Sequence, residues 1–125
     1  MKENKQQPRQ DRQTLNRLLE LNDLNERAFA YHHYCLRKTE PMNEQFLENL
    51  EKTTNLLFDE AMEQMNWEPQ HTVDQIVKRR ENIQQLLGNH YLTKGCDSAE
   101  AMTARDHYRA FSQLDNKVVS KQFLR

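Results

Sequence analysis

Glycine, proline, cysteine and long apolar runs are all scarce in this chain of 125 residues. Two glycines and three prolines leave few residues for the tight turns that join β-strands. No stretch approaches the ~18 consecutive apolar residues that a membrane-spanning helix needs. The chain therefore favours long helices over strands, and we expect no contact with a membrane.

The cysteines are too few for a secreted scaffold that depends on disulfides. Cys35 and Cys96 are the only two, and no apolar segment follows Met1. Small secreted domains of that kind carry many closely spaced cysteines. The sequence therefore predicts neither a signal peptide nor a disulfide framework, and it favours a cytoplasmic location.

Apolar residues are few but regularly spaced. They make up 36% of the chain, and the mean hydropathy is -1.07. Such low content is typical of disordered chains when the apolar residues are scattered, but here they recur at helical spacing. Residues 1–10 have no large apolar residue after Met1, which predicts a flexible tail. Residues 11–125 are then a single helical domain, because this length allows only one core.

The segment Glu40–Trp67 shows helical periodicity most clearly. Its apolar stripe comprises Phe46, Leu50, Leu57, Ala61 and Met65. The opposite face is rich in glutamate, so one side is solvated while the other packs in a core. Pro41 suits the first turn of a helix, where a backbone N–H has no partner within the helix. We expect a helix over 41–66 that packs antiparallel to the preceding one through a short joint.

The same periodicity predicts an all-α fold. The predicted helices are 11–38, 41–66, 72–88 and 98–114, followed by a short carboxy-terminal helix. The pairs that suit helix starts are Thr72 with Gln75 and Asp97 with Glu100. Gly88 suits the residue just after helix three. We predict an antiparallel bundle of about four helices built on a long N-terminal hairpin, and the conformation of residues 88–97 stays open.

Charge is unevenly distributed, although the net charge is -1. Residues 39–70 carry eight acidic residues and one lysine. An acidic helix repels phosphates, so the sequence disfavours nucleic acid and favours a protein partner. The alternative is nucleic-acid binding through Lys78, Arg79 and Arg80 on helix three. Because Arg80 interrupts an apolar face, we expect its long side chain to reach the acidic helix.

Histidine and cysteine cluster in the segment Tyr31–Cys35. His32 and Cys35 are three residues apart and therefore share a helical face, as a pair of zinc ligands would. Candidate additional ligands are His90, Cys96 and His107. These residues are scattered and form no complete metal motif, so we predict no metal ligand and no cofactor. Whether His32, His33 and Cys35 have a chemical role stays open.

Arg27 and His32 have the Arg-x4-His spacing, which resembles the short signature of HEPN-type ribonucleases. The resemblance covers six residues. It implies an all-helical domain in which Arg27 and His32 act on an RNA phosphodiester bond. The alternative function is therefore a ribonuclease of this kind, or a metal-binding protein, centred on Arg27, His32 and His33. Side chains five residues apart on a regular helix point about 140° apart. This alternative therefore requires a helix break or a second subunit.

The common sequence patterns of catalysis are missing. The chain has no glycine-rich phosphate loop, no Walker sequence and no Gly-x-Ser-x-Gly. We assign no catalytic residue and favour a non-enzymatic interaction module, that is, a small cytoplasmic adaptor, chaperone or regulator. Methionine- and aromatic-rich helical surfaces suit a partner helix. The candidate partner-binding residues are Phe58, Met62, Met65 and Trp67. We also expect self-association, because an interface between copies would bury further apolar surface.

Overall fold

The computed structural model describes residues 3–115 and 117–119, and this part of the chain is a helical bundle without strands. The predicted all-α fold is therefore confirmed. The elements in chain order are α1 (Glu3–Tyr31), a π-helical turn (His32–Leu36), α2 (Glu44–Met65), α3 (Pro69–Lys94) and α4 (Ala99–Gln113). Residues 117–119 form a helical turn, and the rest of the predicted carboxy-terminal helix lies outside the described residues.

α1 is the central helix of the bundle and contacts the other three. α2 forms the predicted hairpin with α1, and α4 lies against both of them. α3 packs mainly against α1. α3 therefore makes the least contact with the other helices, because its contact with α2 is small.

Three apolar clusters fill the spaces between the helices. The first cluster joins α1, α3 and α4 and contains Ala30, Tyr31, Leu87, Tyr91, Ala101 and Ala104. The second cluster joins α1, α2 and α3 and contains Leu15, Leu18, Leu57, Ala61 and Ile76. The third cluster joins α1, α2 and α4 and contains Ala28, Phe46, Tyr108, Phe111 and Val119. Because α1 contributes to every cluster, burial of its side chains holds the bundle together.

Polar caps set the starts of α2 and α4. The side-chain oxygen of Asn43 accepts from the backbone N–H of Phe46 (2.9 Å), so α2 begins three residues later than predicted. Pro41 consequently lies before the helix and not in its first turn. Ser98 accepts from the backbone N–H of Ala101 (3.1 Å), one residue after the predicted cap of α4.

α3 is longer than predicted at both ends. It begins at Pro69, because proline lacks only an N–H that the first turn leaves unpaired. Thr72, the predicted cap, is buried inside the helix and donates to the carbonyl of Glu68 (3.0 Å). Gly88 also lies inside the helix, which ends at Lys94 with Gly95 as its cap. The segment that the sequence left open is therefore helical up to Lys94.

The two glycines are expected to respond differently to alanine. Gly95 has φ 75° and ψ -166°, a conformation that side chains disfavour, so Gly95→Ala should lower the free energy of unfolding by about 1–3 kcal/mol. An added Cβ at Gly88 would lie 2.6 Å from the hydroxyl of Tyr34. That side chain is exposed at the surface and can rotate away, while alanine favours the helix, so Gly88→Ala should change stability by less than about 1 kcal/mol. Urea denaturation measures both, and equal losses would contradict the prediction.

α1 begins further toward the amino terminus than predicted. It starts at Glu3, so residues 3–10 are helical where the sequence predicted a tail. Helical geometry does not report mobility, and the flexibility of this segment stays a prediction. Residues 1 and 2 lie outside the described residues.

Polar side chains lie buried between the helices, which the helical pattern did not predict. Asn25 donates to the hydroxyl of Thr53 (3.1 Å) and accepts from Nε2–H of His107 (2.7 Å). Asn49 donates to two carbonyl oxygens at the end of α4 (2.8 Å each). Burial lowers the pKa of His107, which favours the neutral ring in this network. Paired polar groups of this kind specify how α1, α2 and α4 align.

Candidate protein-binding groove

A groove with a volume of about 540 Å³ lies between α1, α2 and α3. Leu15 and Leu19 line it from α1, and Ile76 lines it from α3. Met65 and Trp67 line it from the end of α2 and the joint that follows. We call this surface the groove.

The floor of the groove is the outer side of the second cluster. Leu15 and Ile76 belong to the buried part of that cluster. Leu19 and Trp67 are partly buried and pack against it. Apolar surface is therefore continuous from the core to the solvent, and a partner that covers the groove would extend the core.

A turn after α2 places Trp67 over the groove. Asn66 ends the helix with φ 54° and ψ 40°, a left-handed conformation that asparagine tolerates better than most residues. The chain then reverses into α3, and the Trp67 ring packs edge-on against His71 (centroids 4.8 Å apart). The indole is thus held in place while part of it stays accessible.

Two charged residues are known to line the groove, and both are basic. Arg79 donates two hydrogen bonds to Asp23 of α1 (2.7 Å each), and these bonds raise its pKa above the ordinary value. Lys78 is exposed and has no ion-pair partner among the side chains of residues 13–115 and 117–119. Among the side chains of residues 13–115 and 117–119, no aspartate or glutamate lines the groove. The groove therefore has an apolar floor, a positive edge and three neutral polar side chains, Asn16, Gln75 and Asn82, in its lining.

Two of the four predicted partner-binding residues line the groove. Met65 is 45% exposed, and Trp67 is partly buried beside it. Phe58 packs against the second cluster without lining the groove, and Met62 is partly buried elsewhere on α2. Sequence reasoning missed the α1 and α3 walls, because residues on separate helices become neighbours only through packing.

No helix in the described part of the chain is both long and apolar enough to cross a membrane. Comparisons with protein families, curated proteins and solved structures find no match. The groove is therefore the feature of the structure that indicates a function.

The structure does not bring Arg27 and His32 together. Arg27 forms an ion pair with Glu100 near the start of α4. His32 hydrogen-bonds through Nε2 to the carbonyl of Glu40 (2.9 Å), and its ring packs against Tyr108 (centroids 5.6 Å apart). Glu100 and Tyr108 are about 12 Å apart along α4 at the rise of a regular helix. The placement of the two side chains therefore gives no support to a nuclease centre.

Cys35 and Cys96 form a disulfide, so the prediction of no disulfide framework is wrong. Their Cα atoms are 5.9 Å apart, because the π-helical turn after α1 meets the joint after α3. Disulfide sulfurs are not the thiolates that bind zinc. His90 lies 2.7 Å from the hydroxyl of Ser98, and His33 is exposed. No group of three metal-ligating side chains occurs among the described residues.

The basic run on α3 does not form a continuous surface. Arg79 is paired with Asp23, as described above. Arg80 reaches inward, donating to Asn22 (2.9 Å) and to Thr54 (2.5 Å), with a carboxylate oxygen of Glu26 3.5 Å away. Its expected contact with α2 exists, but its carboxylate partner belongs to α1. Only Lys78 of the three has its charge open to a partner, which weakens the nucleic-acid alternative.

Proposed function

We propose that this protein is a non-enzymatic interaction module whose groove binds an amphipathic helix of a partner protein. The observation that carries the proposal is the groove itself, an apolar extension of the core between three helices. Its volume lies within the range of about 300–1,000 Å³ that is typical of binding pockets. Adaptor, chaperone and regulator are the classes of protein that such a surface serves.

The apolar floor of the groove suits the apolar stripe of a helix. Recognition of this kind uses large side chains at positions i, i+3, i+4 and i+7 of the bound helix. Met65 can adapt its conformation to different side chains, and Trp67 offers a rigid apolar surface. These properties favour a helical partner over a flat, polar one.

The charge of the groove indicates which residues should flank the apolar stripe of the bound helix. Lys78 stands at its edge, and among the side chains of residues 13–115 and 117–119 it has no acidic partner and no carboxylate lines the groove. Glutamate or aspartate beside the apolar stripe of the partner would pair with Lys78 and increase the rate of association. The proposed occupant is therefore an acidic amphipathic helix.

A pair of designed peptides tests the proposal. Each is a helix of about 18 residues, or five turns, with a leucine stripe flanked either by glutamates or by lysines. Trp67 is the only tryptophan, so its fluorescence reports binding directly. We expect micromolar binding of the glutamate peptide and roughly tenfold weaker binding of the lysine peptide.

Charge reversal at the groove provides the matched variant. Lys78→Glu should invert the preference between the two peptides, whereas Lys52→Glu on the exposed face of α2 should leave it unchanged. Absence of any change in Trp67 fluorescence, or equal effects of the two substitutions, contradicts the proposal.

Self-association, which the sequence predicted, is the competing occupant. Light scattering shows whether a dimer forms, and dilution shows whether its dissociation exposes Trp67. A dimer that hides Trp67 and excludes the glutamate peptide would mean that a second copy fills the groove and that the acidic helix does not.

The disulfide bears on where this form of the protein acts. Disulfides persist in oxidising compartments and are rare or transient in the cytosol. The cytoplasmic location expected from the sequence stays a prediction, while the Cys35–Cys96 bond favours an oxidising environment for the form described above.

A further inference from the structure

We propose that the Cys35–Cys96 disulfide regulates the groove by holding α3 against α1. When the bond is intact, α3 forms one wall of the groove. When the bond is reduced, α3 separates from α1 and that wall is lost. This inference rests on the proposed function, because it concerns the affinity of the groove for its helical partner.

The bond lies where it can restrain α3. Cys35 is in the π-helical turn that continues α1, and Cys96 is in the joint between α3 and α4. Gly95, with φ 75°, begins that joint and is the residue best able to change conformation there. Without the disulfide, the carboxyl end of α3 is linked covalently only to α4.

Polar contacts add to the apolar contacts that α3 makes with α1 in the first and second clusters. Arg79 bonds to Asp23 near the surface, and the amide of Gln84 donates to Glu26 (2.6 Å). Water can replace the exposed Arg79–Asp23 contact at little cost, whereas the Gln84–Glu26 contact is part-buried. The other three helices share the third cluster, to which α3 contributes no residue. α3 is thus the helix that opens most readily.

One buried group favours the open form. The hydroxyl of Tyr91 is buried and has no hydrogen-bond partner among the described residues. Its ring lies on α3 within the first cluster and stacks on Tyr34 (centroids 5.6 Å apart). Separation of α3 would let water reach this hydroxyl, so the closed form carries a cost that the open form does not.

The chemistry requires only a dithiol reductant. A thiolate of the dithiol attacks one sulfur of the Cys35–Cys96 bond, and the other sulfur leaves as a thiolate. The second thiol of the reductant then displaces the first cysteine from the mixed disulfide. The dithiol becomes a cyclic disulfide, and after protonation Cys35 and Cys96 are both thiols.

Binding and reduction are then linked. Ile76, Lys78 and Arg79 all lie on α3, so its separation removes the apolar contact and the positive edge together. A partner that binds only the closed form must also oppose reduction, and by the same factor. Reduction of the disulfide would therefore weaken partner binding, and partner binding would oppose reduction.

Hydrogen exchange of the full chain, with and without dithiothreitol, tests the opening of α3. We expect amides in 69–94 to exchange roughly tenfold faster after reduction, with smaller changes in 44–65. Binding of the glutamate peptide, followed by Trp67 fluorescence, should weaken about tenfold in the reduced protein. The double variant Cys35→Ser/Cys96→Ser should behave like the reduced protein and should not respond to dithiothreitol.

The outcomes separate this inference from the proposed function. If α3 exchanges faster after reduction but neither form binds the peptide, the proposed function is wrong, whereas the opening of α3 is supported. Equal peptide binding by both forms would overturn regulation while the groove stands. Unchanged exchange in α3, or equal acceleration in all four helices, would show that α3 does not open by itself.

Discussion

Replacing Cys35 or Cys96 by serine is expected to lower the free energy of unfolding by about 4 kcal/mol in an oxidising buffer. The disulfide closes a loop between residues 61 positions apart, and loss of that closure raises the entropy of the unfolded chain. Small domains are stable by about 5–15 kcal/mol, so the bond accounts for a large share of the total. Urea denaturation followed by circular dichroism measures the change.

Reducing conditions provide the control for the cysteine variants. With dithiothreitol present, the wild-type protein and both serine variants should unfold at the same urea concentration, because none of them then carries the bond. Equal stability of wild type and variants in oxidising buffer would show that the disulfide does not form or does not stabilise the fold.

The second large effect is expected at Phe46. Its side chain is completely buried in the third cluster, with ring centroids 4.9 Å from Tyr108 and 6.0 Å from Phe111. Phe46→Ala removes these contacts and leaves a cavity between α2 and α4. We expect a loss of about 3–5 kcal/mol in the free energy of unfolding, measured by urea or thermal denaturation.

The neighbouring residue supplies the matched control for Phe46. Leu47 is 40% exposed on the same helix. Leu47→Ala should therefore cost less than about 1 kcal/mol. Similar losses at Phe46 and Leu47 would mean that α2 is rotated relative to the arrangement described above.

Helical periodicity predicted the fold class and much of the core. Phe46 and Leu57 are fully buried, as their spacing indicated, because an amphipathic helix has one face that water disfavours. The helix ends were less well predicted. Thr72 and Pro69 both suit the start of a helix. Because the two preferences are similar in strength and the residues lie within four positions, the sequence does not show which of them begins α3.

The helical pattern predicted a core of apolar side chains, whereas the core of the structure also contains polar ones. Asn25 and Asn49 are fully buried, and their amides pair with groups on other helices. A sequence pattern treats asparagine as a surface or turn residue, since burial is favourable only where a partner is in place. Those partners lie 28 and 62 positions away in the chain, so periodicity carries no signal for them.

The candidate site was likewise predicted only in part. Met65 and Trp67 were identified from the sequence because they end an apolar stripe on one helix. Leu15, Ile76 and Lys78 complete the groove from two other helices, and nothing in their local spacing relates them to Trp67.

The amino-acid sequence by itself determined that this chain forms helices with one apolar face, since that depends on spacing within a few turns. The tertiary structure decided which faces meet, that Cys35 reaches Cys96, and that a groove stays uncovered between α1, α2 and α3. The physical reason is distance along the chain. Contacts between remote residues depend on how whole helices pack, and packing is a property of all the side chains together.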